Sequence, residues 1–295
     1  MKQNKAGAYA DERAKFLTGE IVRVFKEAAR DISKKLVDFT AKHETMDAHY
    51  RQLVREGKLT PAWYASWQKG QVFTGKLWQQ KLDDVTRIYC NADKEARAII
   101  RGETENVFRH AMNYTASDIS DHFKGAITFT MYDKQTIEYM IKEDRKLLPE
   151  WNINEEKDYT WNASRVQNAV LQGIIQGESI DKIAKRLSGE LATKNAAKMN
   201  MFARTAVTAA RSEGQIARMK EAQEQGIKIQ KQWITAGDDR VRDAHEEIDG
   251  EVRDLDEPFE TSDGEIMYPG DPNAAPELVY NCRCDLFEFY PRYAK

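Results

Sequence analysis

Near the C-terminal end, one stretch concentrates the side chains that can do chemistry. His245 is followed at a distance by Cys282 and Cys284, a C-x-C pair, among Asp238, Asp239, Arg242, Asp249 and Asp271. One imidazole and two thiols form a zinc ligand set, and a carboxylate is a common fourth partner. A helix begun at Asp238-Asp239 places Asp238, Arg242, His245 and Asp249 on one face, at i, i+4, i+7 and i+11. A terminal strand from Cys282 to Tyr290 points both thiols the same way, because strand side chains alternate. If helix and strand pack together, His245, Cys282 and Cys284 converge. Asp249 is then the first candidate for the fourth ligand, with Asp238 or Asp271 as alternatives. Plainer roles exist for the same residues: His245 as a helix cap, buried thiols, and an Arg242–Asp238 pair along the helix. A disulfide within C-x-C is not expected, since a strand spaces the two residues near the upper limit for bridging.

Zinc held by two thiolates is more often structural than catalytic. A hydrolytic site needs an open position and a general base, for which Glu246 or Glu247 would serve. The chain has no H-E-x-x-H, and no spacing matches a hydrolytic motif. The reading is therefore a non-enzymatic protein with a structural zinc site, with a zinc-dependent hydrolase as the competing reading.

The elements that position these residues follow from periodicity. Ile227, Ile229, Trp233 and Thr235 share one parity, with polar residues between them, which predicts a strand interrupted by Lys231. Asp249-Gly250 reads as a turn, and the Pro/Gly-rich segment 258–276 as loop. Trp233, Leu286 and Phe287 are expected in the core of this head.

Upstream the pattern is helical. Leu17, Ile21, Val24, Ala28, Ile32, Leu36 and Phe39 recur every three or four residues. Thr60-Pro61 opens a second helix carrying Trp63 and Trp67, with Trp78 beyond it. Val85, Ile88, Ala92, Ala96 and Ile99 mark another, with Gly102 as a weak point. Residues 125–133 break the pattern, and a helix through Ile137 and Ile141 stops before Pro149. Residues 149–158, with Trp151, read as a linker. Two short helices follow: Val166, Val170 and Ile174 ending at Gly177, then Ser179 as N-cap with Ile180, Ile183, Ala184 and Leu187, ending at Ser188-Gly189. From Met199 to Ala217 small residues form a stripe that lets another helix approach, ending at Gly226. The fold expected is mainly α, a long helical N-terminal body with a small α+β C-terminal domain. Its parts are a helical arm over 1–150, a helical part over 151–231 and the head over 232–295.

At 295 residues with 41% hydrophobic content and mean hydropathy −0.72, the chain can bury a core without reaching membrane-spanning apolarity. No secretory leader is read at the N-terminus. Three cysteines do not make a secreted disulfide framework. Residues 232–295 hold 6 Lys and Arg against 17 Asp and Glu, net −11, while the rest holds 39 against 31, net +8. A basic body of this kind predicts weak, salt-sensitive contact with double-stranded DNA that the acidic head would not share.

Several motifs occur in a fixed order: Trp233-Ile234-Thr235, Asp239-Arg240-Val241-Arg242-Asp243-Ala244-His245, Asp249-Gly250, Tyr268-Pro269-Gly270-Asp271-Pro272 and Asn281-Cys282-Arg283-Cys284. Together with the helix pair at 164–188 and Ala203-Arg204-Thr205, this order resembles the phage Mu protein F-like family of minor head (head morphogenesis) proteins over roughly residues 160–290. Trp233, Asp239, Arg242, Gly250, Pro269, Gly270 and Asn281 are its motif positions here. Ala206 departs from the pattern, since the family often has an acidic residue after the Arg-Thr pair. The resemblance implies a low-copy virion protein of a tailed phage, made in the host cytoplasm and carried inside the capsid. The implied partners are the portal, and beyond it the scaffold or major capsid protein, with a part in assembly and DNA delivery. Relatives can carry toxin domains fused after this module; with the chain ending at Lys295, none is expected here. Trp63, Trp67 and Trp78 are the expected anchors on the partner.

Overall fold

A computed structural model describes residues 5–73, 76–144, 148, 155–176, 178 and 180–291. The element order is α1 (Lys5–Arg55), α2 (Pro61–Phe73), α3 (Lys76–His122), α4 (Lys134–Glu143), α5 (Glu155–Ile175) and α6 (Ile180–Lys185). A π-helical turn, Arg186–Glu190, leads into α7 (Leu191–Glu224). Then come β1 (Gln230–Ile234), α8 (Asp243–Glu246), β2 (Val252–Arg253), β3 (Phe259–Thr261), β4 (Gly264–Ile266), α9 (Pro276–Val279) and β5 (Asp285–Phe289). Mainly α with a small α+β C-terminal region is thus the fold observed.

The chain divides into two compact units, residues 1–20, 97–151 and 199–295 in one and residues 21–96 and 152–198 in the other. The cut expected at 150 falls beside the boundary at 151/152, whereas the cut expected at 231 lies inside a unit, and each unit is discontinuous in sequence. The reason is helix length: α1, α3 and α7 each give one stretch to each unit.

In the second unit the α1 stripe is buried as expected at Ile21, Val24, Ala28, Ile32 and Leu36. The side chains of Phe39 and Trp78 lie outside the described residues, as do Trp151, Gly177 and Ser179. On α3 the buried face is Leu82, Val85, Tyr89, Ala92 and Ala96, so Ile88 and Ile99 sit at its margin. The Tyr89 hydroxyl donates to the Leu187 carbonyl. A buried polar contact, Asn162 Nδ2 to Asp93 Oδ2 at 2.7 Å, ties α5 to α3. Residues 155–158 are helical rather than linker, and Ser188-Gly189 does not end a helix. The π turn absorbs that glycine, and the helical path continues into α7.

In the first unit, α3 passes Gly102 without a break. An interior glycine costs about 1 kcal/mol in a helix, and the burial of Val107, Phe108, Ala111 and Met112 just after it outweighs that cost. α3 and α7 approach tightly at Gly214, where a Cβ would lie 2.5 Å from the Phe108 carbonyl oxygen and 3.0 Å from the Ala111 Cβ. The small-residue stripe expected on α7 serves this packing, with Met199, Ala203, Ala206 and Ala210 all buried. Ala206 is thus a core position. Arg218 then holds the non-helical segment after α3: buried, it donates to the carbonyls of Met112 and Thr130, both at 3.2 Å, and pairs with Glu221 at 2.8 Å.

A three-stranded antiparallel sheet, in the order β2-β1-β5, closes this unit. Trp233 pairs with Leu286 and Gln232 with Phe287. Parity decides the core: Trp233 and Leu286 are fully buried, while Phe287, one residue on, faces the other side and is only partly buried. Burial of Phe287 was expected from its apolar type alone, and the alternation overrules it. Lys231 lies on the inner face, with Nζ donating to the Leu255 carbonyl at 3.1 Å. Burial lowers this ammonium to about 8. The segment 258–276 is not simple loop; it contains the β3–β4 hairpin and opens α9 at Pro276.

Substituting Gly214→Ala should lower the melting temperature despite alanine's better helix propensity, because the clash is with backbone. Overpacking of this kind costs about 1–3 kcal/mol. A melting temperature equal to or above that of the parent would show that α3 and α7 are not held this closely.

Candidate metal centre

The site lies in a hydrophobic core made by Trp233, Ala244, Ile248, Phe259, Ile266, Leu278 and Leu286 around the two thiols. α8 is a single turn of four residues, too short to carry the face that the sequence suggested. Residues 238–242 form a turn ahead of it, with Arg242 at the N-cap position, so Asp238 and Asp249 do not share a helix face with His245. Cys282 and Cys284 precede β5 rather than lying in it. Their convergence comes from a tight loop in which Asn281 takes a left-handed backbone, φ 57°, a conformation asparagine tolerates better than most residues.

His245, Cys282 and Cys284 nevertheless meet. His245 Nδ1 is 3.4 Å from Cys284 Sγ and 3.8 Å from Cys282 Sγ. All three side chains are buried, their ligand atoms lie within 4.8 Å of one another, and the cysteines are free thiols. The group could hold a metal ion. A tetrahedral zinc with ordinary Zn–S and Zn–N bonds holds sulfur and nitrogen about 3.5 Å apart, close to both distances. His245 Nε2 is buried without a hydrogen-bond partner, and the Trp233 ring stands edge-on to the imidazole at 5.1 Å. Nδ1 is the nitrogen turned to the two sulfurs, so it is the atom that would meet a metal.

The two thiols share a proton. The Cys284 S–H, aided by His245, holds Cys282 well below the ordinary thiol range against the opposing effect of burial. Accepting that bond, Cys282 in turn pushes Cys284 far up, and burial adds to it. A metal bound here would displace the thiol protons, so its binding should release protons.

The three carboxylates considered as fourth ligand are occupied otherwise. Asp249 Oδ1 accepts the Thr235 N–H at 2.7 Å. Asp238 is gripped at both oxygens by Arg283, at 2.6 and 2.5 Å, and so is held well below the usual carboxylate range. Asp271 accepts the Met267 N–H at 3.0 Å and the Asn273 N–H at 2.9 Å, which shapes the turn after Gly270. Among the described residues the metal-capable group is His245, Cys282 and Cys284 alone.

The remaining motif residues build the walls. Trp233 forms the floor, and the Gly250 N–H, from a residue at φ 80°, bonds the Trp233 carbonyl at 2.8 Å. Arg242 donates to the Tyr280 carbonyl rather than pairing with Asp238. The Pro269 carbonyl accepts from Ser212 Oγ at 2.9 Å. Gly270, φ 87°, lies flat on α7, where a Cβ would stand 2.7 Å from the Ala209 nitrogen. Asp239 is exposed in its turn.

A second set of positioning residues lies on α7 and was not read from the sequence. The Asn281 N–H donates to Thr205 Oγ1 at 3.2 Å, and Thr208 Oγ1 donates to the Cys282 carbonyl at 3.2 Å. Arg211 Nη2 donates to the Cys284 carbonyl at 2.5 Å, and Gln215 Nε2 to the Leu286 carbonyl at 3.0 Å. The signal was the polar face Thr205, Thr208, Ser212, Gln215, at steps of three and four inside an alanine-rich helix. Glu213 accepts the Tyr268 hydroxyl from the same helix. Burial pushes the Glu213 carboxyl up to about 7; the Tyr268 hydroxyl opposes this and nearby Asp271 adds to it.

Residues 164–287 match the family described as Phage Mu protein F like protein. The minor head protein GP7 of Bacillus phage SPP1 is 30% identical over 124 residues, 42% of this chain and 39% of that protein. The NAD(+)–arginine ADP-ribosyltransferase EFV of Enterococcus faecalis is 33% identical over 127 residues, 43% of this chain and 26% of that protein. The chain thus spans well under half the length of either relative. No solved structure matches it.

Two predictions follow from the site. Full-length protein purified without a histidine tag should carry close to one zinc per chain, and Cys284→Ser should lose it along with several degrees of melting temperature; metal-free protein that melts like the purified sample would leave only a packed core. Glu213, with its folded value raised from 4.5 to about 7, holds a proton in the native state that the unfolded chain releases. Its stabilising contribution is complete below about pH 4.5 and is lost as pH rises through about 7. Glu213→Gln should flatten the fall of the denaturation midpoint across that window; identical slopes in parent and variant would refute the assignment.

Proposed function

We infer from the match of residues 164–287 to the phage Mu protein F-like family that this chain is a minor head protein acting in phage head morphogenesis. The observation that carries the reading is the family match, supported by a relative named as a minor head protein. The C-terminal core around His245, Cys282 and Cys284 serves as a structural zinc module, which fits its burial and its two-thiol ligand set. The protein is made in the host cytoplasm, associates with the portal, with scaffold or major capsid protein as further neighbours, and is carried inside the head.

The portal contact is assigned to the α1–α2 region. There Tyr50 packs edge-on against Trp63 at 5.1 Å and Trp67 at 4.7 Å, and Tyr64 stacks on Trp67 at 6.0 Å. Trp63 is 42% exposed, and Arg51 pairs with Asp47 beside it. Clustered aromatics with an adjacent arginine are the residue types that carry binding energy at protein interfaces. The side chain of Trp78, expected in the same role, lies outside the described residues.

The transferase name of the second relative does not favour an enzymatic reading here. Its alignment covers about a quarter of that protein.

The experiment is co-expression with the cognate portal followed by pull-down, with mass spectrometry of purified virions alongside. Full-length protein should co-purify with portal and be found in particles. Trp63→Ala combined with Trp67→Ala should weaken the portal complex at least about tenfold. Absence from virions would overturn the head assignment, and undiminished binding by the double variant would overturn the docking site.

A further inference from the structure

Beside the cysteine loop lies a cavity of about 250 Å³, bordered by the first turns of α1, by α7 and by the turns bearing Arg240 and Arg283. Its lining carries five cations, Lys15, Arg204, Arg211, Arg240 and Arg283, and one carboxylate, Asp11. Two more carboxylates stand behind them. Asp285 lies 3.3 Å from Arg211 Nε, and Asp238 takes both Arg283 and, at 3.3 Å, Arg240. Five cations therefore face three carboxylates, next to a stretch, 232–295, whose net charge is −11. The positive charge is gathered here against the local trend.

Arg211 makes this more than a solvated surface. It is 4% exposed, and its Nε is not aligned for a hydrogen bond with Asp285. Its Nη2 is fixed on the Cys284 carbonyl. A buried guanidinium grouped with four further cations around a cavity lined by one carboxylate is costly unless an anion completes the set. Arginine forks suit tetrahedral oxyanions, binding two oxygens at once where lysine offers a point charge. The volume is below the roughly 300–1,000 Å³ of sites for drug-sized ligands, so it has room for one compact group.

We propose that this cavity binds a phosphate group, either as the free anion or as a backbone phosphate of DNA. Arg211 and Arg283, held in place by Asp285 and Asp238, form the rigid base of the site. Arg204, Arg240 and Lys15, from three different segments, close around the anion. The head-protein assignment is not needed for this inference, because the cavity stands on its own charge and geometry.

The test uses the full chain and two probes, inorganic phosphate by calorimetry and a short fluorescein-labelled DNA duplex by anisotropy across a salt series. The variant is Arg204→Ala with Arg240→Ala, both exposed residues whose loss leaves the core intact, checked by an unchanged melting temperature. The control is Lys58→Ala with Lys134→Ala, which removes the same charge outside the cavity. Affinity for at least one probe should fall about tenfold or more in the cavity variant and stay within twofold in the control. If duplex is the ligand, the slope of log affinity against log salt should also drop by about two. Loss of phosphate binding alone identifies the free anion as the ligand, and loss of duplex binding identifies the DNA backbone. Binding of neither probe, or equal losses in variant and control, overturns the proposal.

Discussion

The C-terminal head depends on one buried contact, the grip of α7 on the backbone of the cysteine loop. Thr205, Thr208, Arg211 and Gln215 reach from one helix face to residues 281, 282, 284 and 286 in turn. Irregular backbone carries polar groups that are expensive to bury unsatisfied, about 1–3 kcal/mol each. Placing a helix side chain opposite each group lets a non-repetitive loop enter a core where a strand would otherwise be needed. This in turn brings two sulfurs to one imidazole. Without the grip, Cys282 and Cys284 would be two thiols on a surface turn.

The same constraint explains residue types that look unrelated. Gly270 must be glycine, because the turn it makes presses backbone against backbone at Ala209. Ala206 and Ala210 must be small, because α7 is enclosed over this stretch. Asp238, Asp249 and Asp271 supply the hydrogen bonds that set the surrounding turns, which is why none of them is left for a metal. These three carboxylates are committed to turns, and the arginines that Asp238 holds, Arg283 and Arg240, line the adjacent cavity. The His–Cys cluster and the cavity share the cysteine loop: the side on the core carries the sulfurs, and the side facing α1 carries charge.

Much of this was legible in the sequence. Helical periodicity located α1 and the burial of its stripe, Pro61 marked the start of α2, and parity located β1 with Trp233 inward. These are local properties: a 3.6-residue or two-residue repeat is written in neighbouring residues and needs no partner to be read. The grouping of His245 with the C-x-C pair was also legible, because so few residue types do soft-ligand chemistry that their recurrence in one short segment is informative.

Tertiary structure alone decided the rest. Asp249 was a reasonable fourth ligand on a helix from 238 to 249, but the chain makes a turn there, and the carboxylate is nearer the Thr235 amide than the thiols. Phe287 and Leu286 are equally apolar, and only pairing with β1 says which faces in. Gly102 reads as a weak point and Ser188-Gly189 as a helix end, yet packing outweighs a propensity cost of about 1 kcal/mol each. The polar face of α7 was visible as residues but not as a function, since its partners lie some seventy residues away. Sequence determined which residues could act and which local elements they would join; long-range contact determined which atoms met, because that depends on free energies summed over groups distant in the chain.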